Sequence, residues 1–221
     1  ARLMLSKPWA LGGLLAGGLV VATALAFVVV EHLRFATPTE VVAHRGASAA
    51  APENTLAAVR LAIESGADWV EIDVQETADG RIVVIHDSDL KKVGGSALNV
   101  RGSTLEQLRA VDIGSWFGPE FADERIPTLE QVLSLSKDRI GVNIELKYYG
   151  GEVALEQRVI DIVERAGMAD QVVAMSLSYQ GIQSLRRLRP DWTVGLLSSV
   201  AIGKLAALDV DFLALNGRAA T

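Results

Sequence analysis

Ionisable side chains interrupt four short apolar segments of this 221-residue chain, at the segment ends or at alternate positions within them. An unpaired charge inside a protein costs several kcal/mol, so charged groups in otherwise apolar segments need a common explanation. They could form a structural ion-pair network or a shared site. The interrupting residues are His44, Arg45, Glu71, Asp73, His86, Glu145 and Lys147.

The types of these residues are those that phosphoester cleavage requires. Three carboxylates offer the oxygen ligands that hard cations such as Mg²⁺ or Ca²⁺ prefer, and the chain has no cysteine to offer a thiolate. An arginine and a lysine suit an anionic phosphoryl group, the first as a bidentate fork and the second as a point charge. Two imidazoles can serve as general acid and base near neutral pH.

A parallel α/β fold would bring these residues together, because the carboxyl ends of barrel strands meet at one rim. Near-continuous Val/Ile/Leu runs are typical of strands buried on both faces. We therefore predict a TIM-type (β/α) barrel, in preference to a doubly wound sheet. The predicted strands are Val41–Ala43, Trp69–Val74, Arg81–Ile85, Ile140–Leu146, Gln171–Met175, Thr193–Leu197 and Phe212–Leu215.

Helical signals lie between several of these strands. Asn54 is placed either to cap a helix over Thr55–Ser65 or to belong to the site, and Tyr179–Leu188 stops before Pro190. Ser103-Thr104-Leu105-Glu106 and Thr128-Leu129-Glu130-Gln131 both have the pattern of a capping box, which marks a helix start. Strands that alternate with helices indicate a parallel sheet.

The motifs resemble those of the glycerophosphodiester phosphodiesterase family. They are His44-Arg45-Gly46, Pro52-Glu53-Asn54-Thr55, Glu71-x-Asp73, His86-Asp87 and Ile144-Glu145-Leu146-Lys147. The resemblance covers residues 40–221. It implies a TIM-type barrel that cleaves small or lipid-derived glycerophosphodiesters to glycerol 3-phosphate and an alcohol, with a divalent cation, Mg²⁺ or Ca²⁺.

The resemblance also implies a role for each site residue. The metal ligands would be Glu71, Asp73 and Glu145, with Glu53 as a further ligand or a partner of the ligands. The acid/base pair would be His44 and His86, and the phosphate would be bound by Arg45 and Lys147. Two alternatives stay open: a phospholipase D-like or lysophospholipid-cleaving enzyme on the same fold, and a non-catalytic membrane-bound binding domain.

An uncharged stretch precedes the predicted barrel. Residues 11–30 carry no charge, and about twenty helical residues span the hydrocarbon core of a bilayer. We therefore predict an N-terminal flank at 1–10, a transmembrane helix at 11–33, a linker at 34–39 and the barrel domain at 40–221. Membrane lipid would then be a partner and the cell membrane the location, on a side that the flanking charges leave open.

The chain also differs from a complete barrel of this family. Such barrels typically need about 250 residues, and the seven strand candidates leave no eighth strand. Trp192-Thr193 resembles a late family element but falls too early in the strand order. We therefore expect an open barrel that lacks its last strand. The net charge of −6 argues against nucleic acid as a partner, and the oligomeric state and the alcohol head group are left open.

Overall fold

The computed structural model describes residues 21–27, 39–198 and 207–215. Two compact units divide the chain, Ala1–Glu40 and Val41–Thr221. Residues 21–27 of the first unit form helix α1. The rest of the predicted transmembrane span at 11–33 lies outside the described residues, and none of the helices in the described ranges is both long and apolar enough to cross a bilayer. The membrane anchor therefore stays a prediction.

The second unit alternates strands and helices, as the sequence predicts. Each predicted strand is present, with its ends shifted by no more than one or two residues. The elements are β1 Val42–Ala43, α2 Leu56–Glu64, β2 Trp69–Glu76, β3 Ile82–Val84, α3 Lys91–Gly94, α4 Leu105–Arg109, α5 Leu129–Ser136, β4 Gly141–Leu146, α6 Leu155–Ala166, β5 Val172–Ser176, α7 Tyr179–Leu188, β6 Val194–Ser198 and β7 Phe212–Leu215.

Capping interactions set several helix starts. The N–H of Thr128 donates to Gln131 Oε1 at 3.1 Å, as the predicted capping box requires. The other capping box is displaced by one residue, because Thr104 and Gln107, rather than Ser103 and Glu106, exchange the reciprocal bonds.

Six of the seven strands form a parallel series in the order β1-β2-β4-β5-β6-β7. Strand β3 departs from the prediction, because it runs antiparallel to the far end of β2, with Ile82 opposite Glu76 and Val84 opposite Val74. The reason is the short connection at residues 77–81, closed by a bond from the N–H of Thr77 to the carbonyl of Arg81. A parallel crossover needs about a dozen residues or more.

The sheet is open within the described ranges. Strands β1 and β7 stand at its two edges, and each pairs with a single neighbour. The expected open array is therefore present, but it contains one parallel strand fewer than the sequence predicts, since β3 lies outside the parallel series.

The two faces of the sheet differ in chemistry. Val70, Ile72 and Val74 of β2 belong to the main hydrophobic core together with residues of α2, α5, α6 and α7. Successive side chains of a strand point to opposite faces, so Glu71, Asp73 and their neighbours on β4 face the inside of the arc. A second cluster beneath β3 and α4 includes Val83, Leu90, Val100, Leu108 and Ile126.

The loop after β1 depends on Gly46, and this dependence can be tested. Gly46 has a φ of +77°, and an added Cβ would lie 2.6 Å from the Cβ and 2.7 Å from the carbonyl carbon of Ala58 in α2. We expect Gly46→Ala to reduce the free energy of unfolding by about 2–4 kcal/mol, from the left-handed conformation and the clash together. Urea unfolding monitored by circular dichroism measures it.

Gly66→Ala is the matched control. Its φ of +72° is similar, but nothing lies within 4 Å of the added Cβ. Its free energy of unfolding should fall only by the cost of the left-handed conformation, about 1–2 kcal/mol. Equal losses in the two variants would show that the contact with Ala58 does not matter.

Candidate active site

Three carboxylates from β2 and β4 meet inside the arc of strands. The register places Asp73 directly opposite Glu145, and Glu71 opposite Asn143. All three carboxylate residues are buried, with exposures between 1% and 4%. One oxygen atom from each of Glu71, Asp73 and Glu145 lies within 4.8 Å of the other two. We call these three residues the acidic triad.

Two cationic side chains contact the acidic triad. The Nζ of Lys147 lies 3.1 Å from Asp73 Oδ1 and 2.8 Å from Glu145 Oε1. The Nε of Arg45 lies 3.4 Å from Asp73 Oδ2, and the main-chain N–H of Arg45 donates to Glu71 Oε2 at 2.8 Å. The structure thus brings the predicted phosphate-binding residues to the predicted metal ligands, from three separate strand ends.

Of the two roles predicted for Asn54, the contacts favour that of a site residue over that of a helix cap. The cap of α2 is Thr55, whose hydroxyl accepts the N–H of Ala58 at 3.2 Å. The side-chain amide of Asn54 instead donates to Asp73 Oδ2 at 2.8 Å and accepts the main-chain N–H of Asp73 at 3.2 Å. Asn54 has a φ of +59°, a conformation that asparagine tolerates better than most residues. It therefore fixes the orientation of a triad carboxylate.

Glu53 lies outside the acidic triad. Its carboxylate contacts the Nη1 of Arg45 at 3.1 Å and the Nζ of Lys92 at 2.6 Å. These two ion pairs make it a partner of the Arg45 guanidinium, so its predicted roles as a further metal ligand or a partner of the ligands stay predictions. Lys92 is an addition that the motifs do not indicate.

The two histidines stand at the edge of the site. The Nε2 of His44 is 3.9 Å from Glu71 Oε2, and the His44 side chain is 69% exposed. The Nδ1 of His86 is 2.7 Å from Asp87 Oδ1. His86 lines an open cavity of about 490 Å³ together with Glu145, Lys147, Tyr149, Ser176 and Leu177, among others.

His86 reaches this rim for a reason other than the predicted one. A parallel third strand would have placed His86 at the carboxyl end of that strand. Instead, β3 starts beside the far end of β2 and runs back, so that the N–H of Ile85 donates to the carbonyl of Asp73 at 2.9 Å. The next residue, His86, is therefore level with the acidic triad.

Burial disfavours the ionised forms of Glu71 and Glu145 in the acidic triad. Desolvation and the neighbouring Asp73 carboxylate raise the pKa of Glu71 to about 8. Desolvation also raises the pKa of Glu145, against the opposing effect of Lys147. Desolvation disfavours the charged form of Lys147, but the adjacent Asp73 and Glu145 outweigh it and raise the pKa of the lysine.

These properties fit a divalent cation between the three carboxylates. Glu71 Oε1 is buried and has no hydrogen-bond partner within the described part of the chain. Three oxygen donors in close proximity, without a thiolate, form the type of site that Mg²⁺, Ca²⁺ or Mn²⁺ occupies. A bound cation would supply the missing partner and favour the ionised form of all three groups.

The pKa of His44 also responds to its surroundings. Partial desolvation and the adjacent Arg45 guanidinium lower the pKa of His44, although the ring keeps most of its exposure to water. Trp192 precedes β6 and is 4% exposed within the main hydrophobic core. The burial of Trp192 among apolar side chains is that of a core residue.

Comparison with known proteins identifies the family. The model of the glycerophosphoryl diester phosphodiesterase family matches residues 44–216, which is most of the chain. This chain belongs to that family. The match begins at His44 and includes every candidate site residue named above.

Similar proteins support the assignment to the glycerophosphoryl diester phosphodiesterase family. The chain is 40% identical over 166 residues to YhdW of Bacillus subtilis (strain 168), covering 75% of this chain and 68% of YhdW. It is 39% identical over 164 residues to a glycerophosphodiester phosphodiesterase of Caldanaerobacter subterraneus subsp. tengcongensis, covering 72% of this chain and 66% of the relative. It thus spans about two thirds of the length of these relatives.

A solved structure of a phosphodiesterase shares the fold. It is a phosphodiesterase of Oleispira antarctica in complex with the product sn-glycerol-3-phosphate. The superposition has a TM-score of 0.76 at 32% sequence identity and covers 80% of this chain and 74% of the other.

Proposed function

We propose that this protein hydrolyses glycerophosphodiesters to glycerol 3-phosphate and an alcohol, with a divalent cation held by Glu71, Asp73 and Glu145. The observation that carries the proposal is the contact of the buried acidic triad with Arg45 and Lys147 beside two imidazoles. Membership of the family and the glycerol 3-phosphate bound to a 32% identical relative support the choice of substrate.

The cationic side chains would bind and orient the phosphodiester. Arg45 presents a planar fork, and Lys147 a point charge, on either side of Asp73. A bound Mg²⁺ or Ca²⁺ supplies a Lewis acid that stabilises the developing charge on the phosphoryl oxygens. Groups that are already in place when charge develops need no reorganisation, which is why such sites accelerate phosphoryl chemistry.

The histidines would move the protons. The lowered pKa of His44 favours its neutral form, which can accept a proton from the attacking hydroxyl group. The contact between His86 Nδ1 and Asp87 leaves Nε2 as the ring atom available to the substrate. From there His86 would donate a proton to the oxygen of the departing alcohol. Attack by water would give glycerol 3-phosphate directly. Attack by the glycerol hydroxyl of the substrate would first give a cyclic phosphodiester, which water would then have to open to the same product.

A substrate panel tests the proposal. Glycerophosphodiesters with choline, ethanolamine, glycerol and inositol head groups would be compared with a lysophospholipid, and the products would be identified by ³¹P NMR. We expect glycerol 3-phosphate from at least one water-soluble diester. Cleavage of the lysophospholipid alone would instead indicate the lipid-cleaving alternative, and cleavage of none would favour a binding domain.

We further propose that residues 11–33 anchor the protein in a membrane. The support is the absence of charged residues over 11–30, a length that matches the hydrocarbon core. The protein should float with liposomes in a sucrose gradient and stay bound in 1 M salt or at alkaline pH. Recovery in the soluble fraction after such a wash would contradict the anchor.

A further inference from the structure

The loop that carries His86 is hydrogen-bonded to the side chain of a buried glutamine. Gln75 lies on β2, two residues after Asp73, and is 5% exposed. Its Nε2 lies within donor distance of three consecutive main-chain carbonyl oxygens, those of Ile85 and His86 at 3.0 Å each and that of Asp87 at 2.8 Å. An amide NH₂ has only two hydrogens, so the three carbonyls share them. One side chain thus fixes the main chain on both sides of His86.

A tyrosine from another loop forms a second hydrogen bond to the main chain of His86. The Oη of Tyr149 donates to the carbonyl oxygen of His86 at 2.8 Å. Tyr149 lies in the loop after β4, two residues beyond Lys147. The loop is itself braced, because the N–H groups of Tyr149 and Gly150 donate to Glu152 Oε1 at 2.7 Å and 3.0 Å. The carbonyl of His86 is therefore tied to β2 and to the end of β4, which are the strands that carry the acidic triad.

This double attachment matters because the main-chain bonds to β2 end one residue before His86. Strand β3 ends at Val84, and the next bond to β2 is the one from the N–H of Ile85 to the carbonyl of Asp73. Beyond that bond, side-chain contacts fix the position of His86 relative to Lys147 and Glu145. An error of about 1 Å in the position of a catalytic group can reduce a rate by about 10²-fold.

We propose that Gln75 and Tyr149 are positioning residues that hold His86 against the acidic triad. The proposal rests on the acid/base role of His86 in the proposed function. It assigns to two residues outside the charged motifs a role in catalysis that operates through another side chain, without contact with the reacting atoms.

Two variants remove the donors with little change in shape. Gln75→Met keeps the length of the side chain and should lower kcat by about 10- to 100-fold. Tyr149→Phe removes a single hydroxyl from a half-exposed ring and should lower kcat by about three- to tenfold, the size of one hydrogen bond. Because neither residue contacts the phosphate or the triad in our proposal, KM and the Kd for Mg²⁺ should stay within about twofold of wild type.

Matched controls make the same substitutions away from the site. Gln171→Met removes an amide that bonds to Asp138, and Tyr179→Phe removes a hydroxyl that accepts the N–H of Asp209. Both should leave kcat unchanged. Melting temperatures of all four variants report whether a loss of rate is a loss of fold, and Tyr149→Phe keeps the test available if Gln75→Met folds poorly.

The decisive readout is the same pair of substitutions in a His86→Ala background. If the two residues act through His86, their effects on kcat should disappear there, to within about twofold, since residues that act as a unit are non-additive. Equal losses in both backgrounds would overturn the positioning role. A large loss in His86→Ala with none in Gln75→Met or Tyr149→Phe would overturn it and leave the proposed function intact. An unchanged kcat in His86→Ala would overturn the positioning role together with the acid/base role of His86, whereas the substrate panel tests the hydrolytic function separately.

Discussion

Replacing Glu71 by Gln should abolish turnover and weaken metal binding while the fold is retained. Glu71 contributes a buried carboxylate to the acidic triad, and its Oε1 has no other partner within the described residues. A bound metal contributes several kcal/mol of charge stabilisation in the transition state, and about 1.4 kcal/mol corresponds to a tenfold change in rate. We therefore expect kcat/KM to fall by about 10³-fold or more. Titration calorimetry with Mg²⁺ and Ca²⁺ measures the accompanying loss of affinity.

The stability of the same variant provides a control with a defined sign. The pKa of Glu71 is raised to about 8 in the folded protein from an ordinary value of 4.5. Its contribution to stability is fully present below about pH 4.5 and is lost as the pH rises through about 8. Glutamine cannot ionise, so in excess chelator Glu71→Gln should become more stable than wild type as the pH rises towards 9.

A surface substitution completes this experiment. Glu64 is exposed at the end of α2, and Glu64→Gln should change neither turnover nor metal affinity. Full activity of Glu71→Gln would remove Glu71 from the metal site, and unfolding of the chelated variant at every pH would contradict the stability prediction.

Replacing either of the two proposed acid/base histidines, His44 or His86, by alanine should lower kcat by about 10²- to 10⁴-fold, the usual contribution of general acid/base catalysis. His44 lies beside Glu71, and His86 lines the cavity with Glu145 and Lys147. Each variant should lose one limb of the pH–rate profile, because each removes one proton-transfer group. Steady-state kinetics between pH 5 and 9 on the fastest substrate of the panel measures both effects.

The third histidine is the control for these variants. His32 lies near the end of the predicted anchor at 11–33, and His32→Ala should keep both limbs of the profile. If His86→Ala retained kcat within a few fold of wild type, we would assign His86 to substrate orientation. A profile that kept both limbs in His44→Ala would remove His44 from proton transfer.

The main features of the site follow from the sequence because charges interrupt apolar strands. Glu71 and Asp73 alternate with Ile72, which predicts that they share a face, and the structure places both with Glu145 in one cluster. The strand positions are equally predictable, since near-continuous apolar runs have few alternatives in a domain of this size. These inferences depend on local patterns, and local patterns are what a sequence displays directly.

Features that depend on chain direction and on long-range contacts were predicted less well. The apolar content of β3 resembles that of its parallel neighbours, and only the short connection at residues 77–81 indicates the reversal. Asn54 and Thr55 are both good helix caps, so the sequence does not reveal that Thr55 caps and Asn54 bonds to Asp73. Tyr149 lies 63 positions from the His86 carbonyl that it contacts, and no local pattern indicates that pairing.

The most direct test of the central claim is the release of glycerol 3-phosphate from a water-soluble glycerophosphodiester before chelation, after chelation and after metal is restored. The acidic triad and the adjacent Arg45 and Lys147 predict a measurable initial rate, a loss of at least about 10²-fold in excess chelator, and recovery on addition of Mg²⁺ or Ca²⁺. An undiminished rate in chelator would contradict the metal site. Failure to release glycerol 3-phosphate from any diester, with either cation present, would contradict the proposed function.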